Sequence, residues 1–379
     1  MAKLTVQLKQ HTPIIHFQSH QNGATLRASD VKPRIDNFLG GTQKYKLTIS
    51  AEMEGGYPKD KGNEPYFGDH KLCFYKNIKL VFNTYFDEDL RKKIEEILPK
   101  VFTLENFGSF GNKGYGCFTT EKISITDFQK LLKEEYKTVY YWDAAKTSPA
   151  DILFEIKYFY ALVKSGINVL GRNISDPKTY YKSLLMLYFK DKIFDSSQSI
   201  RWEKRGIKKV FNLTAVNNRT RNLDQTDYSI PDNEVYSAIK PLLGYSELQE
   251  WLSYGLRKDR RYPANSNPIK IELPNDIDRI PSPIFFKVFN DNSKVRIYFM
   301  LKNEKEFENK VYPNKTFKYT IQGKDTQFNT PANFNYSNFL NYVVNEINNN
   351  LIAKSASSGT PQRVDNFIKH ITKNKIGSL

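Results

Sequence analysis

Between residues 107 and 118 the chain reads Phe-Gly-Ser-Phe-Gly-Asn-Lys-Gly-Tyr-Gly-Cys-Phe, with glycine at 108, 111, 114 and 116. Residues without a Cβ can adopt positive φ, so the backbone here can curl tightly and let another chain approach closely. An exposed curl also presents amide N–H groups, and a concave row of such donors attracts anions. Lys113 lies in the same loop, and Phe107, Phe110 and Tyr115 can stack on bases, so the anion this loop suits is nucleic-acid phosphate. A glycine-rich hairpin that only joins two strands would use the same residues, because these glycines have no fixed spacing.

The segments around the loop follow a recognisable order. Leu4, Val6 and Leu8 alternate with polar neighbours and predict a half-buried strand over 3–9, continued past Pro13 by residues 11–17. A helix follows over 24–39, with Ser29 as N-cap, Asp30 complementing the helix dipole and Pro33 in the first turn. Val31, Ile35, Phe38 and Leu39 share its inner face, and Gly40-Gly41 stops it. Strands are predicted at 45–53 and 72–85. Asp87 then opens an amphipathic helix lined by Leu90, Ile94, Ile97 and Leu98. A strand at 115–123, a helix at 126–136 and a short strand at 138–142 complete the stretch. The resulting β-α-β-β-α-β order is that of the ferredoxin-like split unit.

At 379 residues the chain exceeds the ~250–300 at which one core stops growing, so more than one domain is expected. The pattern turns helical after 146, with helices at 152–163 and 180–194 and two shorter ones within 233–256, broken by Pro241 and Gly244. Strands return at 269–273, 283–289, 295–301 and near 317–321, and a helix spans 333–351. The predicted class is α+β, with tandem ferredoxin-like domains and a large helical insertion. Residues 1–145 form the N-terminal domain with its glycine loop, 146–265 the insertion, 266–352 a second α+β core and 353–379 a flexible basic tail. Within that tail, residues 364–371 are amphipathic and expected to order on a partner.

Fifty-seven Lys and Arg against 41 Asp and Glu give a net charge of +16, which favours a polyanionic partner. No stretch approaches the ~18 uninterrupted apolar residues of a membrane span, and the alternating N-terminus lacks the apolar core of a signal peptide. Cys73 and Cys117 are the only cysteines, too few for a disulfide framework or a four-cysteine zinc site. A cytoplasmic protein with reduced thiols and no cofactor is expected. Arg27, Lys32 and Arg34 flank the first helix, Arg201, Lys204, Arg205, Lys208 and Lys209 form a second basic run, and residues 257–261 a third. Each fits phosphate contact or a solvated basic face. His11, His16 and His20 fall within ten residues, but no Cys or acid lies nearby and their directions diverge, so no metal site is expected.

Four segments resemble the RAMP superfamily of CRISPR proteins. Leu8-Lys-Gln-His-Thr-Pro-Ile-Ile-His16 is similar to its first strand, Leu26-Arg-Ala-Ser-Asp-Val-Lys-Pro-Arg34 to its first helix, and Phe107–Gly116 to its glycine-rich loop. Tyr254-Gly-Leu256, followed by Arg279-Ile-Pro-Ser-Pro-Ile284 and Lys287, resembles the later signature of subunits of the type III Cmr interference complex, above all its first-numbered, two-core, non-slicing member. The resemblance implies a structural subunit assembled with other RAMP proteins on CRISPR guide RNA. It would contact guide or target RNA at the end of the complex distal to the guide's handle. Carried over by position, Arg27, Lys32, Arg34, Gly108, Gly111, Lys113, Gly114, Tyr115 and Gly116 would touch RNA, with Arg279 and Lys287 as further candidates. Slicing RAMP subunits carry an aspartate between the first strand and first helix. Here residues 17–25 contain neither Asp nor Glu, which implies no cutting. Repeat-processing RAMP endonucleases cut with a histidine, a role open to His16 or His20. A free-standing single-strand RNA binder is the third reading.

Overall fold

The computed structural model describes residues 3–15, 26–56, 73–169, 179–191, 200–210, 235–246, 248–253, 265–274, 279–291, 294–302, 304–321, 323–352, 354–355 and 362–379. The chain forms two compact units. One comprises Met1–Lys157, Ile284–Lys302 and Asn374–Leu379, and the other Tyr158–Pro283 and Asn303–Lys373.

The first unit begins with β1 (Lys3–Gln10), α1 (Ala28–Phe38), β2 (Lys46–Gly56), β3 (Cys73–Asn83), α2 (Glu88–Leu104) and β4 (Phe118–Thr120). The strands form one antiparallel sheet in the order β2-β3-β1-β4, which is the split ferredoxin-like arrangement expected from the sequence. Leu4 and Leu8 of β1, with Ile78, Leu80 and Phe82 of β3, pack against Val31 and Ile35 of α1 and against Leu90, Ile94, Leu98, Val101 and Phe102 of α2. Asp87 caps α2 by accepting the Leu90 N–H at 2.8 Å. At α1 the cap is Arg27 rather than Ser29, without a side-chain bond.

Beyond β4, Ser124 caps α3 (Ile125–Glu135), and β5 (Val139–Asp143) follows. β5 does not close the first sheet. It pairs with Val295–Leu301, which pairs in turn with Ile284–Asn290, and Gly377–Ser378 lies along the other side of β5. The strands assigned from sequence to a separate 266–352 core are therefore divided, with 284–301 completing the first unit. The boundary expected at 145 falls instead within α4 (Pro149–Lys164), between Lys157 and Tyr158.

In the second unit an antiparallel sheet runs in chain order through Leu248–Ser253, Asn265–Glu272, Thr316–Ile321 and Lys324–Asn329. The region expected to be a helical insertion also contains strands. Residues predicted as two helices within 233–256 form Val235–Ser237, a 3-10 turn at Lys240–Leu243, Tyr245–Ser246 and Leu248–Ser253. The tail is likewise not simply flexible. Gln362–Asn374 is a helix that buries Val364, Phe367, Ile368 and Ile371, and Gly377–Ser378 is a strand. Among the described residues, no helix is long and apolar enough to cross a membrane.

Candidate nucleic-acid interface

The glycine loop leaves α2 at Glu105 and returns to β4. Its ends are held by a bridge between Asn106 and Cys117 and by the Phe107 N–H bonding Gly116 O at 3.0 Å. This close crossing fixes the last glycine, because a Cβ at Gly116, where φ is +64°, would lie 1.8 Å from Phe107 O. Gly114 is constrained similarly, since a Cβ there would meet Ile156 Cδ1 at 2.7 Å. Phe107 and Tyr115 are fully buried, so they pack the loop and offer no face to a base.

The amides of the loop are largely spent internally. Ser109 N–H bonds Ile15 O at 2.8 Å, Lys113 N–H bonds Phe110 O at 2.8 Å, Gly114 N–H bonds Gly111 O at 3.0 Å and Gly116 N–H bonds Pro13 O at 2.9 Å. These bonds correct the expectation of a cradle of outward-facing donors. Gly114, Tyr115 and Gly116 lie inside, and the accessible part is the tip at 108–113, where Gly108 is exposed and Lys113 half-buried. The Lys113 ammonium lies 5.7 Å from the centre of the Phe110 ring.

Lys287 is also corrected. It is completely buried, and its ammonium donates to Phe102 O at 2.7 Å, Glu105 O at 2.6 Å and Asn106 Oδ1 at 2.9 Å. Three donors meet three acceptors, so the side chain ties α2 and the loop to the strand Ile284–Asn290 and has nothing left for RNA. Burial pushes its pKa down to about 8, while Cys117 and Glu105 oppose the shift. Asn106 completes the joint by donating to Gly111 O at 2.7 Å and Phe286 O at 2.9 Å.

At the foot of the loop, Glu105 accepts from Arg34 and, at 2.8 Å, from Lys302. The Arg34 guanidinium lies 5.1 Å from the centre of the Phe107 ring. Two cations, Arg34 and Lys302, thus share one carboxylate, while Lys287 bonds the main-chain oxygen of the same residue. Lys32 is held by Asp36 at 2.8 Å and Gln43 O at 3.0 Å, above the Tyr45 ring. Arg27 is half-buried at the start of α1. Arg279 is exposed and belongs to the second unit, opposite Ser246 in a short ladder. The Arg201–Lys209 run lies on Ile200–Trp202 and Glu203–Val210, and residues 257–261 lie outside the described residues.

Family models match both parts of the sequence, a Cmr1 N-terminal domain over residues 1–65 and 42–167 and a Cmr1 C-terminal domain over 180–373. The chain belongs to the Cmr1 family. It is accordingly a subunit of the type III Cmr CRISPR complex, with other Cmr subunits as partners. The crystal structure of Cmr1 from Pyrococcus furiosus in its apo form is similar at 10% identity, over 94% of this chain and 99% of that one, with a TM-score of 0.39. No curated protein matches the sequence.

In this Cmr1-family chain the residues missed from sequence are those that brace the loop: Glu105, Asn106 and Lys302. For the first two the signal was legible, because Glu105-Asn106 interrupts an otherwise apolar run. His11 is buried, with Nδ1 accepting the Asn290 N–H at 3.0 Å and Nε2 2.8 Å from Thr119 Oγ1. Burial, then the charges of Lys287 and Lys9, lower its pKa to about 3, and burial raises that of the Cys117 thiol. His16 and His20 lie outside the described residues. Among the described residues, no group of three His, Cys, Asp or Glu side chains could hold a metal ion.

Proposed function

We propose that this Cmr1-family chain is a non-cutting subunit that grips the sugar-phosphate backbone of guide or target RNA. Its place would be the end of the Cmr complex distal to the guide's handle. The observation that carries this reading is the foot of the glycine loop, where Arg34 and Lys302 share the Glu105 carboxylate, together with the accessible 108–113 tip that carries Lys113. A chain at +16 reinforces it. Phe107 and Tyr115 are buried and cannot stack on bases, so the grip is mainly on backbone, with Phe110 the one aromatic at the accessible tip.

Two measurements test the reading. Purified with its sibling subunits, the complex should carry RNA of uniform length, and the isolated chain should bind single-stranded RNA with affinity that falls steeply with salt. Replacing Arg27 and Lys113 together by Ala should weaken binding several-fold irrespective of sequence; unchanged affinity removes the loop tip from the interface. Labelled repeat RNA incubated with the chain without metal should remain intact. A discrete cleavage product would instead favour an endoribonuclease using His16 or His20.

A further inference from the structure

One face of the β2-β3-β1-β4 sheet packs on α1 and α2. The residues on its other face follow from the ladder register. The first row across β1, β3 and β2 is Lys3, Asn83 and Lys46, the next Thr5, Val81 and Thr48, and the third Gln7, Lys79 and Ser50; Lys9 faces Thr119 of β4. Lys3, Thr5, Gln7, Lys46, Thr48, Ser50 and Lys79 are all exposed, so this face is open across β1, β3 and β2, whereas Thr119 of β4 is buried.

Many cations of the unit are neutralised locally. Lys32, Arg34, Arg91, Lys100, Lys294, Arg296 and Lys302 are each paired with a carboxylate. Lys3, Lys46 and Lys79 have no such partner among the described residues. Among the described residues, carboxylates occur at the margins of these rows. Glu52, past a bulge in β2, accepts from Asn77 at 3.0 Å, and the Glu121 N–H bonds Gln7 O beside β4. Three unneutralised lysines thus stand together on the face of the sheet opposite α1 and α2.

We propose that this open sheet face is a second RNA-backbone site, distinct from the glycine loop. The inference rests on the reading of the chain as an RNA-binding subunit. The composition of the face selects the occupant. Apart from the half-buried Val81, its rows hold Lys, Thr, Ser, Gln and Asn, so it lacks the apolar centre that a stable protein partner would bury. It has no aromatic residue in these rows, so they read phosphate and ribose without regard to sequence. Lys3 and Lys46 stand two strands apart, about 10 Å, and Lys79 lies roughly 14 Å further along the sheet. That spacing lets a strand of RNA laid across the face meet the three ammonium groups in succession, with the Thr and Ser hydroxyls and the Gln7 amide between them.

The test is a triple variant, Lys3→Gln, Lys46→Gln and Lys79→Gln, in the full chain. Its control is Lys92→Gln, Lys93→Gln and Lys130→Gln, which removes the same charge from exposed positions on α2 and α3. Binding of a uridine-rich and a mixed-sequence single-stranded RNA is measured from 50 to 400 mM salt. The sheet variant should lose about 2 from the slope of log affinity against log salt, since each phosphate contact to a single strand contributes about 0.7. Affinity should fall by roughly 10–100-fold at 0.1 M salt for both RNAs, with an unchanged melting temperature. The control should move the slope by less than half as much. If the chain binds RNA and the sheet variant keeps the parental slope, the second site is overturned while the proposed function stands. If the parental chain and its complex bind no RNA, both fail. If the variant keeps its RNA affinity but no longer assembles with sibling subunits, the face is a protein interface instead.

Discussion

Acidification should destabilise the first unit through His11, and the size of the effect follows from how the ring is held. With Nδ1 accepting the Asn290 N–H, the neutral ring carries its proton on Nε2 and donates it to Thr119 Oγ1. Adding a second proton would set one N–H against another and place a cation within reach of the Lys287 and Lys9 charges. The native pKa is therefore about 3, against 6.5 for an unperturbed histidine. Between those values the unfolded chain binds one more proton than the native one, so stability falls as pH drops below 6.5, by about 1.4 kcal/mol per pH unit. At pH 5 the accumulated loss is about 2 kcal/mol. Urea unfolding of the parent and of His11→Gln at pH 7, 6 and 5 measures it, because a glutamine spans the same site without taking up a proton. The variant should be about 1–3 kcal/mol less stable at pH 7, yet its loss from pH 7 to 5 should be smaller than the parent's by about 2 kcal/mol. Carboxylates titrate alike in both proteins and cancel. Parallel pH dependences would refute the reasoning, as would an NMR titration of the native His11 ring centred near 6.5.

Other perturbations probe the loop and its support. Gly116→Ala forces a Cβ onto Phe107 O at positive φ and should cost 3 kcal/mol or more, roughly, whereas Gly40→Ala, also at positive φ but in open space, should cost about 1 kcal/mol; thermal melts compare them. Lys287→Met leaves buried acceptors at Phe102, Glu105 and Asn106 unpaired and should destabilise by about 1–3 kcal/mol. The same variant tests the lysine's titration. With a native pKa near 8 against 10.5 unfolded, the parent gains stability as pH rises from 8, and the variant should lack that gain.

The first unit was legible because each of its elements announces itself locally. Leu4, Val6 and Leu8 alternate, α2 carries a clear apolar stripe behind an aspartate cap, and both point to one sheet with two covering helices. The partner of β5 was not legible, since alternation shows that a strand has a buried face and says nothing about which distant segment lies beside it. Residues 248–253 show a different failure. Leu248, Trp251 and Leu252 fall at i, i+3 and i+4 and suit a helix as well as a strand, and pairing with Asn265–Glu272 decides between them. In the glycine loop the need for close approach was readable from the residue type, but whether the approaching group is RNA or the chain itself was not. At Gly116 it is Phe107 O.

The placement of β5 has a consequence for synthesis. The β1–β4 sheet draws only on residues 3–120, whereas β5 waits for Val295–Leu301, translated some 150 residues later. At ~5–20 residues per second that interval is roughly eight to thirty seconds. Throughout it, Tyr140 and Trp142 await the strand that Phe299 and Ile297 will bring alongside them, so the emerging chain must shield an unfinished aromatic edge long after its first sheet has formed.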